Sequence, residues 1–253
     1  MKGPEGELYV DDGGHGGIPV VFVHACAGST AHWAAQLAHL RKHRRALALD
    51  LRGHGRSATP AREAWSIDDL ASDVAAVVDG VGLERFVLVG HSLGGAVCAA
   101  YAGAHPSRVA GLLLVDPASD GRTIPAEQAQ GLMAVPGSEA WLPVVEQHWA
   151  PMLAASQPQV REQVLAGLRG TAQAAVRGTL GALLTFDPVA ALRRYPGPKL
   201  SLVTAFNQGP DAYQNEVAEL TALRVDVPTG HWVQLDAPAW TCQQIDGFLQ
   251  SLR

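Results

Sequence analysis

The sequence predicts an α/β fold built on a doubly wound, mostly parallel sheet. Three observations carry that reading. The apolar runs Val20-Val21-Phe22-Val23, Val87-Leu88-Val89 and Leu112-Leu113-Leu114-Val115 are continuous rather than alternating, as strands buried on both faces require. Segments of helical period separate them, which is the βαβ order of a parallel sheet. The composition, 47% apolar and 17% charged over 253 residues, suits a globular chain with one sizeable core.

Taken in chain order, strands are expected over 20–24, 46–50, 86–90, 111–115, 199–204 and 223–227, with helices over 31–40, 66–81 and 93–105 between the first of them. Ser66-Ile67-Asp68-Asp69 opens the second helix with a capping-box pattern, a hydroxyl followed three residues later by an acid. Leu70, Val74, Val77, Val78 and Val81 then hold the helical period. A closing helix has Trp240 near its start and Ile245, Phe248, Leu249 and Leu252 as its apolar stripe. From about 117 to 187 the β-rich runs stop, and helical patterns appear instead over 126–134, 138–155, 158–169 and 172–184. The expected organisation is a single domain over 1–253. Its core is formed by 1–116 and 188–253, with a helical insertion ahead of the penultimate core strand.

Gly90-His91-Ser92-Leu93-Gly94 falls between the strand ending at 90 and the helix that follows. Gly-x-Ser-x-Gly at a strand-to-helix turn is a backbone geometry. It holds the serine in a strained conformation with Oγ above the sheet, beside the N–H groups of a helix N-terminus. A Cβ at position 90 or 94 would meet the neighbouring chain. Ser92 is therefore the expected nucleophile. Serine needs a base, and His231, preceded by Gly230 in the turn after the last strand, projects toward the carboxyl ends of the strands, where open α/β sheets bind ligands. Of the ten histidines, His24, His54 and His91 are read as ordering residues and most others as surface. His39 and His43 share a helix face but lack a third ligand, so no metal site is expected.

The chain resembles the α/β-hydrolase fold family over nearly its whole length. Beyond the serine turn, the resemblance rests on His24-Ala25-Cys26-Ala27-Gly28 after the first core strand, on Asp50-Leu51-Arg52-Gly53-His54-Gly55-Arg56-Ser57, and on Gly230-His231-Trp232. It implies a sheet of the α/β-hydrolase type and makes the insertion over about 117–187 a cap. Trp141, Trp149, Met152 and Trp232, together with Met133 and Phe186, are then expected to include pocket-lining positions. The resemblance also implies an oxyanion hole from the backbone N–H groups of Leu93 and Cys26. Ala25 stands where the family has glycine, so a different local path is expected in that loop. The family's usual place for the acid is occupied by Asn207 and Gln208, neither of which carries a charge. Asp116, at the end of the preceding strand, is the leading candidate; Asp211 and Asp120 are the alternatives.

The implied activity is that of a serine hydrolase. It would cleave a carboxylic ester of a small or medium apolar substrate through an acyl-enzyme, with no cofactor. Lactone, thioester or C–C bond hydrolysis on the same residues is the alternative, and a non-catalytic ligand-binding protein is a further one. The net charge of −5 gives no electrostatic footprint for nucleic acid, and Arg41-Lys42-His43-Arg44-Arg45 reads as a solvated helix end. No stretch approaches the length of a membrane span, and Met1 to Glu7 lacks the apolar run of a signal peptide. Three scattered cysteines, Cys26, Cys98 and Cys242, do not make a disulfide framework. Cytoplasmic residence is the expectation, with a small-molecule ester as the partner.

Overall fold

The continuous apolar runs become the interior of one seven-stranded sheet. A computed structural model provides the structure and describes residues 1–134, 141–209 and 212–252. A two-stranded ribbon, β1 (Lys2–Gly3) and β2 (Gly6–Glu7), precedes the main sheet. The main sheet is formed by β3 (Val10–Gly13), β4 (Val20–Val23), β5 (Ala46–Leu49), β6 (Phe86–His91), β7 (Val109–Val115), β8 (Lys199–Val203) and β9 (Leu220–Arg224), in spatial order β3-β5-β4-β6-β7-β8-β9. Every neighbouring pair is parallel except β3 with β5. All residues of β4, β5, β6 and β7 are buried, because helices cover both faces.

Helices α1 (Ala34–Leu40), α2 (Ile67–Gly80) and α3 (Leu93–Ala104) alternate with these strands. Ser66 caps α2 through the full reciprocal box with Asp69. Between β7 and β8 the chain forms α4 (Ala126–Ala134), α5 (Trp141–Leu153), α6 (Pro158–Gly170), α7 (Gln173–Leu183) and α8 (Pro188–Arg194). After β9 come a single turn, α9 (Val233–Asp236), and the closing helix α10 (Pro238–Ser251). No single helix among the described residues is long and apolar enough to cross a membrane.

Besides the short ribbon β1–β2 and the single turn α9, three main elements differ from the sequence reading. The last strand is Leu220–Arg224 and not 223–227: it is an edge strand with only Leu220 buried, so no apolar pattern marks its start. The antiparallel edge strand Val10–Gly13 was not expected, since Val-Asp-Asp-Gly carries no β pattern and pairs through its backbone. Helix α8 was also missed, although Asp187 caps it through Ala190 N and Pro188 occupies its first turn. The expected helix over 138–155 is observed from Trp141; residues 135–140 lie outside the described ones.

Two glycines let the inserted helices approach the sheet's loops. A Cβ at Gly167 on α6 would lie 2.7 Å from Ala27 O, and one at Gly230 would lie 2.1 Å from Ser156 Oγ and 2.7 Å from Met152 O. These approaches place the insertion over the carboxyl ends of the strands.

Candidate active site

Ser92 stands between β6 and α3 with φ 52° and ψ −117°, a region that side chains rarely occupy. The turn is forced by close packing. A Cβ at Gly90 would meet Gly94 O at 2.3 Å, and a Cβ at Gly94 would meet Val23 O at 2.3 Å. The Ser92 side chain makes no cap bond to α3, so its hydroxyl is not committed to the helix. Leu93 opens α3, and its N–H has no intrahelical acceptor.

Asp116 directly follows β7 with φ 40°. Its backbone N–H donates to Leu202 O at 2.7 Å, tying it to β8. Its carboxylate accepts three bonds: Thr204 N at 2.8 Å, Thr204 Oγ1 at 2.8 Å and His231 Nδ1 at 2.6 Å. An ionised carboxylate only accepts, so Nδ1 carries the proton and His231 Nε2 is left as the acceptor nitrogen. Both residues are buried, His231 4% and Asp116 0% exposed. Of the other acids considered, Asp120 accepts Arg122 N at 3.0 Å, capping a 3₁₀ turn, and pairs with the Arg122 guanidinium, while the carboxylate on His231 is that of Asp116. Asp211 lies outside the described residues.

The loop after β4 is ordered by neighbours on two sides. His24 Nδ1 donates to Ala25 O at 2.7 Å, while its Nε2 accepts Leu51 N at 3.0 Å. Gly28 N also donates to Ala25 O, at 2.9 Å. In a trans peptide the N–H points opposite to the C=O. With Ala25 O turned toward His24 and Gly28, the Cys26 N–H points away from them. Asp50 fixes the far end, accepting Thr30 N at 2.6 Å and Arg56 N at 2.9 Å. The left-handed residue of this loop is Ala27, at φ 55°, and not Ala25. Ala27, Ser92 and Asp116 are the non-glycine residues of positive φ among those described, and all three belong to this site.

Ser92 and His231 open into one cavity of about 290 Å³ roofed by the insertion. Trp149, Met152, Trp232 and Met133 line it, as do Cys26, Phe206, His148, Ile124, Leu180 and Leu184. Trp141 and Phe186 do not; they pack against the larger hydrophobic cluster, with no share in the cavity wall. Among the described residues, no Lys, Arg, Asp or Glu lines it. Cys26 Sγ sits 3.4 Å from Thr179 Oγ1, and burial pushes its thiol up to about 11, so it is a protonated wall residue at neutral pH. All three cysteines are free and buried. No cluster of metal-ligating side chains occurs among the described residues; His39 instead pairs with Asp246 at 2.7 Å.

His91 orders the site, as read from the sequence, but the partners it holds, and the places of Gln234, His32 and His148, were not anticipated. His91 Nε2 donates to His231 O at 3.0 Å, and Gln234 Nε2 donates to His91 Nδ1 at 3.0 Å. Burial holds His91 neutral, well below its ordinary range. His32 was read as surface; it is buried, and desolvation lowers it to about 4. His148 was also read as surface and lines the cavity. Nothing in the local pattern around His32 or His148 marks these places, which depend on contacts distant in sequence.

Residues 18–238 match the family described as alpha/beta hydrolase fold. The chain belongs to that family. A curated relative within reach of the match is the dihydrolipoyllysine-residue acetyltransferase component of the acetoin cleaving system of Pseudomonas putida, 32% identical over 250 residues. The match takes in 94% of this chain and 65% of that protein, so the chain spans about two thirds of its relative's length. Among solved structures, the enol-lactonase from Burkholderia xenovorans LB400 superposes with a TM-score of 0.84 at 20% identity, covering 98% of each chain. A thermophilic esterase from Thermogutta terrifontis superposes at 0.83 and 23% identity, covering 97% of this chain and 93% of that one. At such identities these two structures establish the shared alpha/beta hydrolase fold, with its seven-stranded sheet and the helical insertion between β7 and β8.

Proposed function

We propose that this alpha/beta hydrolase is a serine hydrolase that cleaves the carboxylic ester of a small or medium apolar substrate through an acyl-enzyme. The observation that carries the reading is the convergence of three elements on one apolar cavity. A strained serine whose hydroxyl makes no cap bond and a histidine whose Nδ1 is paired to a buried carboxylate, leaving Nε2 free, both face it. Ser92 Oγ attacks the acyl carbonyl while His231 Nε2 takes its proton. Asp116 keeps the proton on Nδ1 and balances the imidazolium that forms. His231 then protonates the departing alkoxide, and water releases the acyl group by the reverse sequence of proton transfers. The Leu93 and Cys26 N–H groups receive the oxyanion.

The cavity wall narrows the substrate. With no Lys, Arg, Asp or Glu among the described lining residues, an ionised acyl or alcohol group would lose its hydration without a partner there. A neutral ester is therefore favoured over a charged one. The three free, buried cysteines fit a reducing compartment such as the cytoplasm.

The test is covalent labelling with a fluorophosphonate, read by intact mass, in parent and Ser92→Ala protein. One adduct on the parent and none on the variant is expected; equal labelling removes Ser92 from the mechanism. A panel of p-nitrophenyl esters, lactones and thioesters then ranks the bond cleaved. Faster turnover of lactones or thioesters than of any simple ester would reassign the substrate while leaving the serine chemistry in place.

A further inference from the structure

His231 is held from three directions, and one of them is the cap. Its side chain is tied to β7 through Asp116. Its backbone C=O is tied to β6 through His91. Its backbone N–H donates to Met152 O, at the end of cap helix α5, at 2.9 Å. This last contact is reinforced by a buried carboxylate that no step of the proposed reaction uses. Asp236 Oδ2 accepts Gly230 N at 3.0 Å and Ser156 Oγ at 2.8 Å, and its Oδ1 accepts Gln157 N at 2.9 Å. The Gln157 side-chain amide in turn donates to Asp236 O at 3.1 Å. Asp236 is 6% exposed and forms no ion pair among the described residues. Hydrogen bonds from two segments meet on it: the Gly230–His231 turn from the sheet side, and the link between α5 and α6 from the cap side.

From this geometry we infer that Asp236 is a positioning residue, which seats the His231 turn by locking it to the cap. The inference rests on the reading of His231 as the general base. A buried carboxylate accepting three donors is a strong and directional junction, since charge-assisted bonds are shorter and stiffer than neutral ones. The Gly230 peptide it holds leads directly into His231. Packing at Gly230 leaves no slack, because a Cβ there would overlap Ser156 Oγ. The cap is therefore part of the base's seat as well as a cover. The α5–α6 link cannot lift away from the sheet without releasing the Gly230 and His231 backbones. Substrate must enter elsewhere along the cavity, where Phe206, 50% exposed, forms part of the rim.

Asp236→Asn tests this. The amide that replaces one oxygen presents N–H groups to donors, so at least one of the three bonds is lost. Misplacing the base acts on the chemical step, and kcat should fall about 30-fold or more while KM changes less than about threefold. Ser156→Ala, which removes one donor and leaves the carboxylate, should lower kcat by about three- to tenfold. The double variant should be no slower than Asp236→Asn alone, since both act on one junction. A readout independent of turnover is the downfield proton NMR signal of His231 Nδ1–H. It should broaden or vanish in Asp236→Asn while the thermal transition remains cooperative. A kcat within about threefold of the parent and an intact downfield signal in Asp236→Asn would overturn the inference. If that variant does not fold, an unchanged kcat and signal in Ser156→Ala would do so. If the parent turns over no ester, the serine hydrolase reading fails, and the NMR signal alone still decides whether Asp236 seats His231.

Discussion

The carboxylate of Asp116 is shared between His231 and Thr204: one oxygen accepts both His231 Nδ1 and the Thr204 hydroxyl, and the other accepts the Thr204 backbone. The acid is thereby anchored by the strand next to its own before it meets the imidazole. Asp116→Asn should lower kcat by about 10²–10⁴-fold, through a mis-set tautomer and the loss of the balancing charge. Thr204→Val removes one of the three bonds and should cost about tenfold or less. Steady-state kinetics on folded protein check both. An Asp116→Asn enzyme within tenfold of the parent would move the acid elsewhere.

Ser92 sets activity against stability. Its positive φ with ψ near −117° is a conformation that glycine adopts without strain and other residues occupy at a cost of about 1–3 kcal/mol. Ser92→Gly should abolish turnover and, after the extra freedom glycine gives the unfolded chain, raise unfolding free energy by about 1 kcal/mol. Urea titration measures this. A destabilised Ser92→Gly protein would show that the turn is relaxed rather than strained.

Acid should destabilise the fold through its buried histidines. Burial lowers His24, His32, His54 and His91 below the ordinary value of 6.5, His32 to about 4. Below 6.5 the unfolded chain binds protons that the folded chain refuses, so stability falls as pH falls. The slope is about 1.4 kcal/mol per pH unit for each such histidine. The His32 share persists down to about pH 4, where its folded form also takes a proton. Unfolding free energies at pH 7.5, 6 and 5 should decrease in that order. A flat profile would mean that these imidazoles are charged in the fold or reach solvent.

The buried pair of Arg52 and Asp73, 2.6 Å apart with side chains 2% and 1% exposed, should be costly to halve. Arg52 also donates to Ala64 O, Asp69 O and Ser72 Oγ. Asp73→Ala leaves that guanidinium without its counter-charge, and about 3–5 kcal/mol of stability should be lost. Replacing both residues with apolar ones should restore much of the loss, as a double-mutant cycle would measure.

What could be read from the sequence follows from where the physical constraint lies. The serine turn was legible because its geometry restricts residue type at several adjacent positions: Gly90 and Gly94 are required by backbone atoms only 2.3 Å from where their Cβ atoms would stand. Buried parallel strands were legible because both faces must be apolar. The last strand was misplaced because Leu220–Arg224 is exposed on an edge, where hydrogen bonding alone defines it. The cap's helices were legible from their periodicity, but the side of each that faces the cavity was not: Trp149 lines the cavity, whereas Trp141, on the same helix, does not. Asp236 carried no signal, since its role exists only when residues 80 positions apart meet.

Gly167 and Gly230 also bear on how this chain can diversify. With no room for a Cβ at either seam position, mutations there shift a whole helix or turn and put the placement of His231 at risk. Mutations at Ile124, Leu180 or Leu184 reshape the cavity without touching the seam. Mutational paths to new substrates are thus steered toward wall residues. Small stepwise changes in chain length or branching should be easily reached, while a reoriented roof would require several simultaneous substitutions.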